Sequence, residues 1–130
     1  MTDAFAVPPQ GAVARGELDV DSWIDERRVV VQISGELDTV NCQRLRDELL
    51  SYAQAGHHRF AVELSGLAFM DSAGIGVLVG ASKRARVGNG RLCLVGPKQH
   101  IRRLWETMGL AGIMPVFGGL DEAFGYLSAK

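Results

Sequence analysis

The strongest constraint on the fold is the alternation of short apolar runs with amphipathic stretches along most of the chain. Runs rich in β-branched and other apolar residues predict strands at residues 29–33, 60–64, 92–95 and 113–117. A partner strand around residues 18–23 precedes them, joined by a turn at residues 25–28. Apolar residues at helical spacing lie between and after the runs and predict four helices. Strands that alternate with single helices pair in parallel, so we expect an α/β domain with the order β-β-α-β-α-β-α-β-α.

Several residues mark where these predicted elements begin and end. Ser34-Gly35 is expected to end the strand of residues 29–33. Asn41 is an expected N-cap, and Gly56 is an expected C′ residue, of the first helix. Pro97 has the position of an N1 proline in the third helix. Gly109 followed by Leu110 predicts a Schellman ending for that helix.

Length and composition narrow the class of protein. The chain has 130 residues, of which 47% are hydrophobic and 22% are charged, which excludes a wholly disordered chain. The net charge of −1 argues against a dedicated nucleic-acid binder. Residues 1–16 carry Pro8-Pro9 and lack periodicity, so we expect a flexible N-terminal tail before a domain at residues 17–130. Without a signal peptide, a membrane span or paired cysteine spacing, a cytoplasmic protein with reduced thiols is expected.

Charge is distributed unevenly along the chain. Eleven of the 15 acidic residues lie between Glu17 and Asp71, and none lies between Asp71 and Glu106. That acid-free stretch carries seven basic residues, namely Lys83, Arg84, Arg86, Arg91, Lys98, Arg102 and Arg103. One interpretation is a domain with an acidic and a basic side that steer protein contacts. The other is two ordinary solvated helix faces.

Enzymatic and metal sites find little support in the sequence. The glycines of residues 74–80 lack the acidic residue that a dinucleotide fingerprint needs about 20 positions later. His57, His58 and His100 lack the spacing of a metal site. Asp71-Ser72 lies in no GxSxG elbow, so a hydrolase is not indicated. We therefore expect no catalytic residue, no metal and no cofactor.

Ser72 is the remaining candidate for function, and two interpretations apply to it. It follows the strand-like residues 68–70 and begins a helix, where serine is a common N-cap. A hydroxyl at a helix N-terminus is also well placed to carry a phosphate, because the N–H groups and the helix dipole favour negative charge. The small residues Ala73, Gly74 and Gly76 leave the backbone around it open to a visiting protein.

Residues 67–78, Leu-Ala-Phe-Met-Asp-Ser-Ala-Gly-Ile-Gly-Val-Leu, closely resemble the signature of the STAS domain of bacterial anti-sigma factor antagonists. Residues 35–38, Gly-Glu-Leu-Asp, resemble the end of that family's second strand, and residues 101–110 resemble its third helix. The three blocks occur in the family order, and the resemblance covers residues 17–128. It implies a STAS-like α/β domain with a small mixed β-sheet and helices packed on one face.

The resemblance also implies a function. An unphosphorylated antagonist binds an anti-sigma factor with serine kinase activity and thereby releases a sigma factor, without binding nucleic acid or membrane itself. The kinase phosphorylates the serine that corresponds to Ser72, and a metal-dependent serine phosphatase removes the phosphate. Asp38 would lie near Ser72. The expected partner-binding residues are Asp38, Thr39, Asp71, Ser72, Ala73, Gly74, Ile75 and Val77.

One departure from the family pattern and one alternative stay open. The family often has Ser or Thr after the phosphorylated serine, but this chain has Ala73, so the block offers a single acceptor hydroxyl. The alternative is a constitutive STAS interaction or scaffold module, in a transport-accessory or signalling complex, that has no phospho-switch. In such a module Ser72 would be only a helix cap.

Overall fold

The computed structural model describes residues 16–129. The expected tail therefore lies, apart from Gly16, outside the described residues and stays a prediction. Five strands form one sheet in the order β1-β2-β3-β4-β5, in which β1 and β2 are antiparallel and the other neighbours are parallel. The elements along the chain are β1 Leu18–Asp25, β2 Arg28–Leu37, α1 Cys42–Gln54, β3 Arg59–Met70, α2 Ser72–Val87, β4 Arg91–Val95, α3 Gln99–Thr107, β5 Val116–Phe117 and α4 Leu120–Ser128. The predicted order is confirmed.

The β1–β2 hairpin is closed by the predicted turn. Asp25 pairs with Arg28, and the two residues between them, Glu26 and Arg27, have φ angles of 49° and 74°. Positive φ at both central positions is the geometry that matches the twist of a tight hairpin. The hairpin places β1 at one edge of the sheet.

Strands β2 and β3 are longer than the sequence pattern predicts. Ser34-Gly35 does not end β2, because Gly35 has a φ of 97° and the pairing with β3 shifts on both sides of it before resuming to Leu37. Bulges of this kind bend a strand without ending it. β3 likewise continues past residue 64 to Met70. The two strands therefore end side by side, where Leu37 pairs with Met70.

The helices occupy both faces of the sheet. The main core joins α1, α2 and α3 to one face and includes Ile33, Val62, Leu78 and Trp105. A smaller core lies on the other face, where α4 packs on β3 and β4, and it comprises Ala61, Cys93, Val95, Ala123 and Leu127. The expected fold class is confirmed, but the expectation that the helices share one face holds only for α1, α2 and α3.

The helix ends confirm two predictions and correct two others. Gly56 and Gly109 have φ angles of 94° and 70°, and each helix ends with the paired backbone bonds of a Schellman motif. Asn41 occupies the N-cap position of α1, but its side chain makes no capping hydrogen bond. Pro97 is not the N1 residue of α3, because Lys98 is the N-cap and the helix begins at Gln99.

The last strand is shorter than predicted. β5 comprises only Val116 and Phe117, although the apolar run begins at residue 113. The N–H groups of Ile113 and Met114 both donate to Leu110 O, so these residues are held in a turn that continues from α3. Within residues 16–129, no helix is long and apolar enough to cross a membrane.

Candidate functional site

The candidate site lies where β2 and β3 end. Because the two strands are parallel, the loop of residues 38–41 and the start of α2 meet at the same edge of the sheet. The N–H of Asp71 donates to Leu37 O at 3.1 Å, which fixes the two segments against each other. The structure therefore places Asp38, Thr39, Asp71 and Ser72 at one edge of the sheet, where the family resemblance puts Asp38 near Ser72.

Asp71 is the N-cap of α2, and its carboxylate also binds the neighbouring loop. Oδ1 accepts from the N–H groups of Ala73 at 2.9 Å and Gly74 at 3.1 Å. Oδ2 accepts from Thr39 N–H at 3.1 Å and Thr39 Oγ1 at 3.2 Å. The hydrogen bond from Gly74 N–H, with those from Thr39 and Ala73, lowers the pKa of Asp71 below 3.8, although desolvation opposes the shift. The carboxylate is therefore charged at neutral pH.

Asp38 organises the loop itself. Its Oδ1 accepts from the N–H groups of Val40 at 2.9 Å and Asn41 at 3.0 Å. The Asn41 side chain accepts from Asp38 N–H at 2.9 Å and donates to Glu36 O at 2.8 Å. These bonds explain why Asn41 does not cap α1, because its amide is used to close the loop. The Asp38 carboxylate thus reaches the site edge, but it bonds its own loop.

Ser72 is the first residue of α2, and its side chain is exposed. It is not the N-cap, because Asp71 holds that position and occupies the N–H groups of Ala73 and Gly74. The hypothesis that Ser72 serves as a helix cap is therefore wrong. Within the described residues the Ser72 hydroxyl has no hydrogen-bond partner, since none of the site's side-chain bonds involves it. The hydroxyl is therefore accessible at the protein surface.

Gly74 and Ile75 pack the first turn of α2 against the strand ends and the main core. A Cβ on Gly74 would lie 2.7 Å from Leu37 Cγ and Cδ2 and 3.1 Å from Met70 Cγ. Only glycine allows the first turn of α2 to approach the strand ends this closely. Ile75 is buried with 7% of its surface exposed, and it packs in the main core. Both residues position Ser72, whereas Ala73 and Val77 keep part of their surface exposed.

Two apolar residues near Ser72 were not identified from the sequence. Val40 is 90% exposed beside Thr39, and Phe69 is 46% exposed two residues before Asp71. An apolar residue in a polar turn, such as Val40 between Thr39 and Asn41, is the signal that could have identified the first. Phe69 lies in a strand whose register changes at the bulges, so its face could not be read from alternation.

The histidines do not gather into a site. His100 Nε2 lies 2.7 Å from Ala68 O, while His58 packs against the turn at Gly88 and Gly90. Across residues 16–129, no group of three or more His, Cys, Asp or Glu residues could hold a metal ion. The thiol of Cys93 is buried in the smaller core, and desolvation raises its pKa to about 12. Buried thiols of this kind are unreactive.

Comparisons with known proteins identify the family of this chain. The STAS domain model matches residues 19–123. An anti-sigma-B factor antagonist of Staphylococcus epidermidis is 33% identical over 104 residues, which cover 80% of this chain and 96% of that protein. Below 25% identity a structural likeness shows the fold alone. An anti-sigma factor antagonist from Mycobacterium paratuberculosis has a TM-score of 0.77 at 21% identity and covers 89% of this chain and 98% of its own.

The Bacillus cell fate determinant SpoIIAA has been solved in two forms that share this fold. Its unphosphorylated form has a TM-score of 0.73 at 24% identity, with 83% of this chain and 95% of that chain covered. Its phosphorylated form has a TM-score of 0.67 at 23% identity, with 85% and 98% covered. The family model and the staphylococcal relative, together with the shared fold, show that this chain belongs to the STAS domain family.

Proposed function

We propose that this protein is an anti-sigma factor antagonist controlled by phosphorylation of Ser72. In the unphosphorylated form it binds an anti-sigma factor with serine kinase activity and so releases a sigma factor in the cytoplasm. Phosphorylation of Ser72 ends that binding, and a metal-dependent serine phosphatase restores it. The protein is a binding module without catalysis of its own. The staphylococcal relative, named an anti-sigma-B factor antagonist, supports this assignment.

The observation that carries the proposal is the exposed Ser72 hydroxyl beside a fully bonded Asp71. A kinase can reach this hydroxyl without opening the domain, since the side chain lies at the surface. The helix start does not depend on it, because Asp71 supplies the cap. We therefore expect phosphorylation to leave the fold intact and to change only the contact surface.

The charge at the site explains how a phosphate would act. Phosphoserine adds about −1.5 to −2 charges at pH 7. The N–H groups of Ala73 and Gly74 are already bonded to Asp71, so the phosphate would add to a carboxylate that remains charged. Moving a partner from 99% to 1% bound requires about 5.5 kcal/mol of differential affinity. Burying the Ser72 phosphate beside the Asp71 carboxylate in a desolvated contact would supply much of that 99%-to-1% difference in affinity.

The test compares Ser72 variants with a matched serine. The protein, its phosphorylated form, Ser72→Ala, Ser72→Asp and Ser65→Ala are titrated by calorimetry against the purified anti-sigma factor kinases of the source organism. Ser65 is an exposed serine on β3, the strand that precedes Ser72, and it serves as the control. We expect equal affinity for the unmodified protein, Ser72→Ala and Ser65→Ala, weaker binding of Ser72→Asp, and at least about 100-fold weaker binding after phosphorylation. Equal affinity for all five forms would refute the proposal.

A further inference from the structure

A groove between α1 and α2 continues the site surface away from Ser72. It encloses about 330 Å³ and is lined by Cys42, Gln43, Arg46, Ala73, Gly76, Val77, Gly80 and Arg84. Ala73 and Val77 belong both to this groove and to the predicted partner-binding set. The groove is therefore continuous with the surface that carries the exposed Ser72 hydroxyl.

The charge of the groove is opposite to that of the site edge. Arg46 and Arg84 line it from facing helices, and no carboxylate lines it. Within the part of the chain that the structure describes, both ion pairs belong to Arg28, so neither guanidinium of the groove is paired with a carboxylate. The adjacent carboxylate of Asp47 accepts a hydrogen bond from Gln43. Two unpaired arginines in one groove favour a carboxylate ligand, which guanidinium groups bind in forked geometry.

The floor of the groove lets another chain approach closely. A Cβ on Gly76 would meet nothing within 4 Å, so this part of α2 is open. A Cβ on Gly80 would lie 3.6 Å from Arg84 Nη1. The Arg84 side chain therefore extends back along α2 and lies over Gly80, which is one helical turn earlier. A segment in the groove would therefore contact α2 backbone and a guanidinium at once.

We propose that this groove receives a carboxylate-bearing segment of the anti-sigma factor, and that Arg46 and Arg84 determine specificity for it. This inference rests on the proposed function and adds the chemistry of the partner. The same acidic segment is attracted by the arginines and repelled by a phosphate on Ser72, which adjoins the groove at Ala73. The arrangement gives the phosphate a defined target, because it acts on charges that the groove has already positioned.

The first test removes the arginine charges. Arg46→Ala/Arg84→Ala is compared with Lys83→Ala/Arg103→Ala, which removes two exposed basic side chains outside the groove. Both are titrated against the anti-sigma factor that binds the unmodified protein, at low and high salt, after circular dichroism confirms folding. We expect the groove variant to bind at least about tenfold more weakly and to lose most of its salt dependence. The control variant should change affinity by less than about twofold.

A second test fills the groove without changing charge. Gly76→Gln places a side chain in the open space, and Gly125→Gln makes the same change on the exposed side of α4, where a Cβ also meets nothing within 4 Å. Both should raise helix stability slightly, because glycine is a poor helix former. We expect only Gly76→Gln to weaken binding, by about tenfold or more.

The outcomes separate this inference from the proposed function. If the Ser72 forms differ in affinity while both groove variants bind like their controls, the groove proposal is overturned and the phospho-switch stands. If the Ser72 forms do not differ, the proposed function itself fails. Sedimentation of the free protein checks another occupant. A dimer that Arg46→Ala/Arg84→Ala abolishes would assign the groove to a second copy of this chain and contradict the proposal.

Discussion

The start of α2 and the end of α4 solve the same electrostatic problem with opposite charges. At the start of α2, the carboxylate of Asp71 accepts hydrogen bonds from the N–H groups of Ala73 and Gly74, which have no partner within the helix. At the end of α4, three arginines from neighbouring strands meet the helix terminus. Arg59 Nη1 donates to Leu127 O, and Arg91 Nη1 donates to Tyr126 O at 3.2 Å. Each arrangement places the charge that the helix dipole favours.

The two ends differ in what they leave exposed. At α4, Arg28 lies 4.2 Å from the centre of the Phe124 ring, and Arg91 lies 4.8 Å from that of Tyr126, so the guanidinium groups are covered by aromatic rings. At α2, the bonds of Asp71 are complete while Ser72 and Val40 remain exposed. The comparison shows that a helix end whose polar groups are hydrogen-bonded can have two different roles. At the α4 end the arginines hold the helix against the sheet, and at the α2 start Asp71 fixes the backbone beside an exposed serine.

The largest expected effect comes from disturbing the frame beneath Ser72. Gly74→Val would press a branched side chain against Leu37 and Met70 and should lower the free energy of unfolding by about 3 kcal/mol. It should also displace the α2 start and weaken anti-sigma factor binding. Urea unfolding measures the first effect and calorimetry the second. Gly125→Ala in α4 is the control, because its Cβ meets open space outside the groove and it should stabilise the protein by about 0.5–1 kcal/mol. A Gly74→Val protein as stable as the wild type would show that the close approach is unimportant.

An intermediate effect is expected at the α4 end. Arg59→Met removes a donor to Leu127 O and Ala129 O and should lower the free energy of unfolding by about 1–2 kcal/mol. Affinity for the anti-sigma factor should not change, because the residue lies far along β3 from Ser72. Arg103→Met, at an exposed position of α3, should cost less than about 0.5 kcal/mol. Loss of partner binding in folded Arg59→Met would break the division between a structural and a functional end.

The smallest expected effect is a pH dependence at Asp71. Its folded pKa lies below 3.8, so its contribution to stability is present above the ordinary aspartate pKa and is lost as the pH falls through the lowered folded pKa. Asp71→Asn should therefore flatten the loss of stability below about pH 4. Thermal melts between neutral and acidic pH measure this, with exposed Asp19→Asn as the control. The idea fails if both variants follow the wild-type profile.

The topology could be predicted from the sequence, but the faces of the sheet could not. Alternating strand and helix patterns are sufficient to predict parallel pairing. In β3, however, Ala61 and Val62 are both apolar and both buried, although they face different helix layers. A strand that is covered by helices on both faces has a continuous apolar sequence, so the sequence does not show which helix packs on which face. The bulge at Gly35 was unpredictable for a related reason, since pairing between distant strands overrides a local stop signal.

The site could be predicted in position but not in detail. The motif places a serine at a helix start, yet Asp71 and Ser72 are adjacent and both residue types are good caps. The choice depends on Thr39, which lies 32 positions away and binds the Asp71 carboxylate. The arginine groove could not be predicted either, because Arg46 and Arg84 meet only through the packing of α1 on α2.

Phosphate mapping of the protein from its native cells, in growth and under several stresses, tests the central claim most directly. Trypsin should release residues 60–83, which contain Ser65, Ser72 and Ser82, so fragment ions must locate the phosphate. Ser82 is fully buried, which makes it a poor substrate, and Ser65 is an exposed internal control. We predict a phosphate on Ser72 whose occupancy changes with conditions. Its absence from a well-covered peptide under every condition, or its presence on Ser65 alone, would contradict the account.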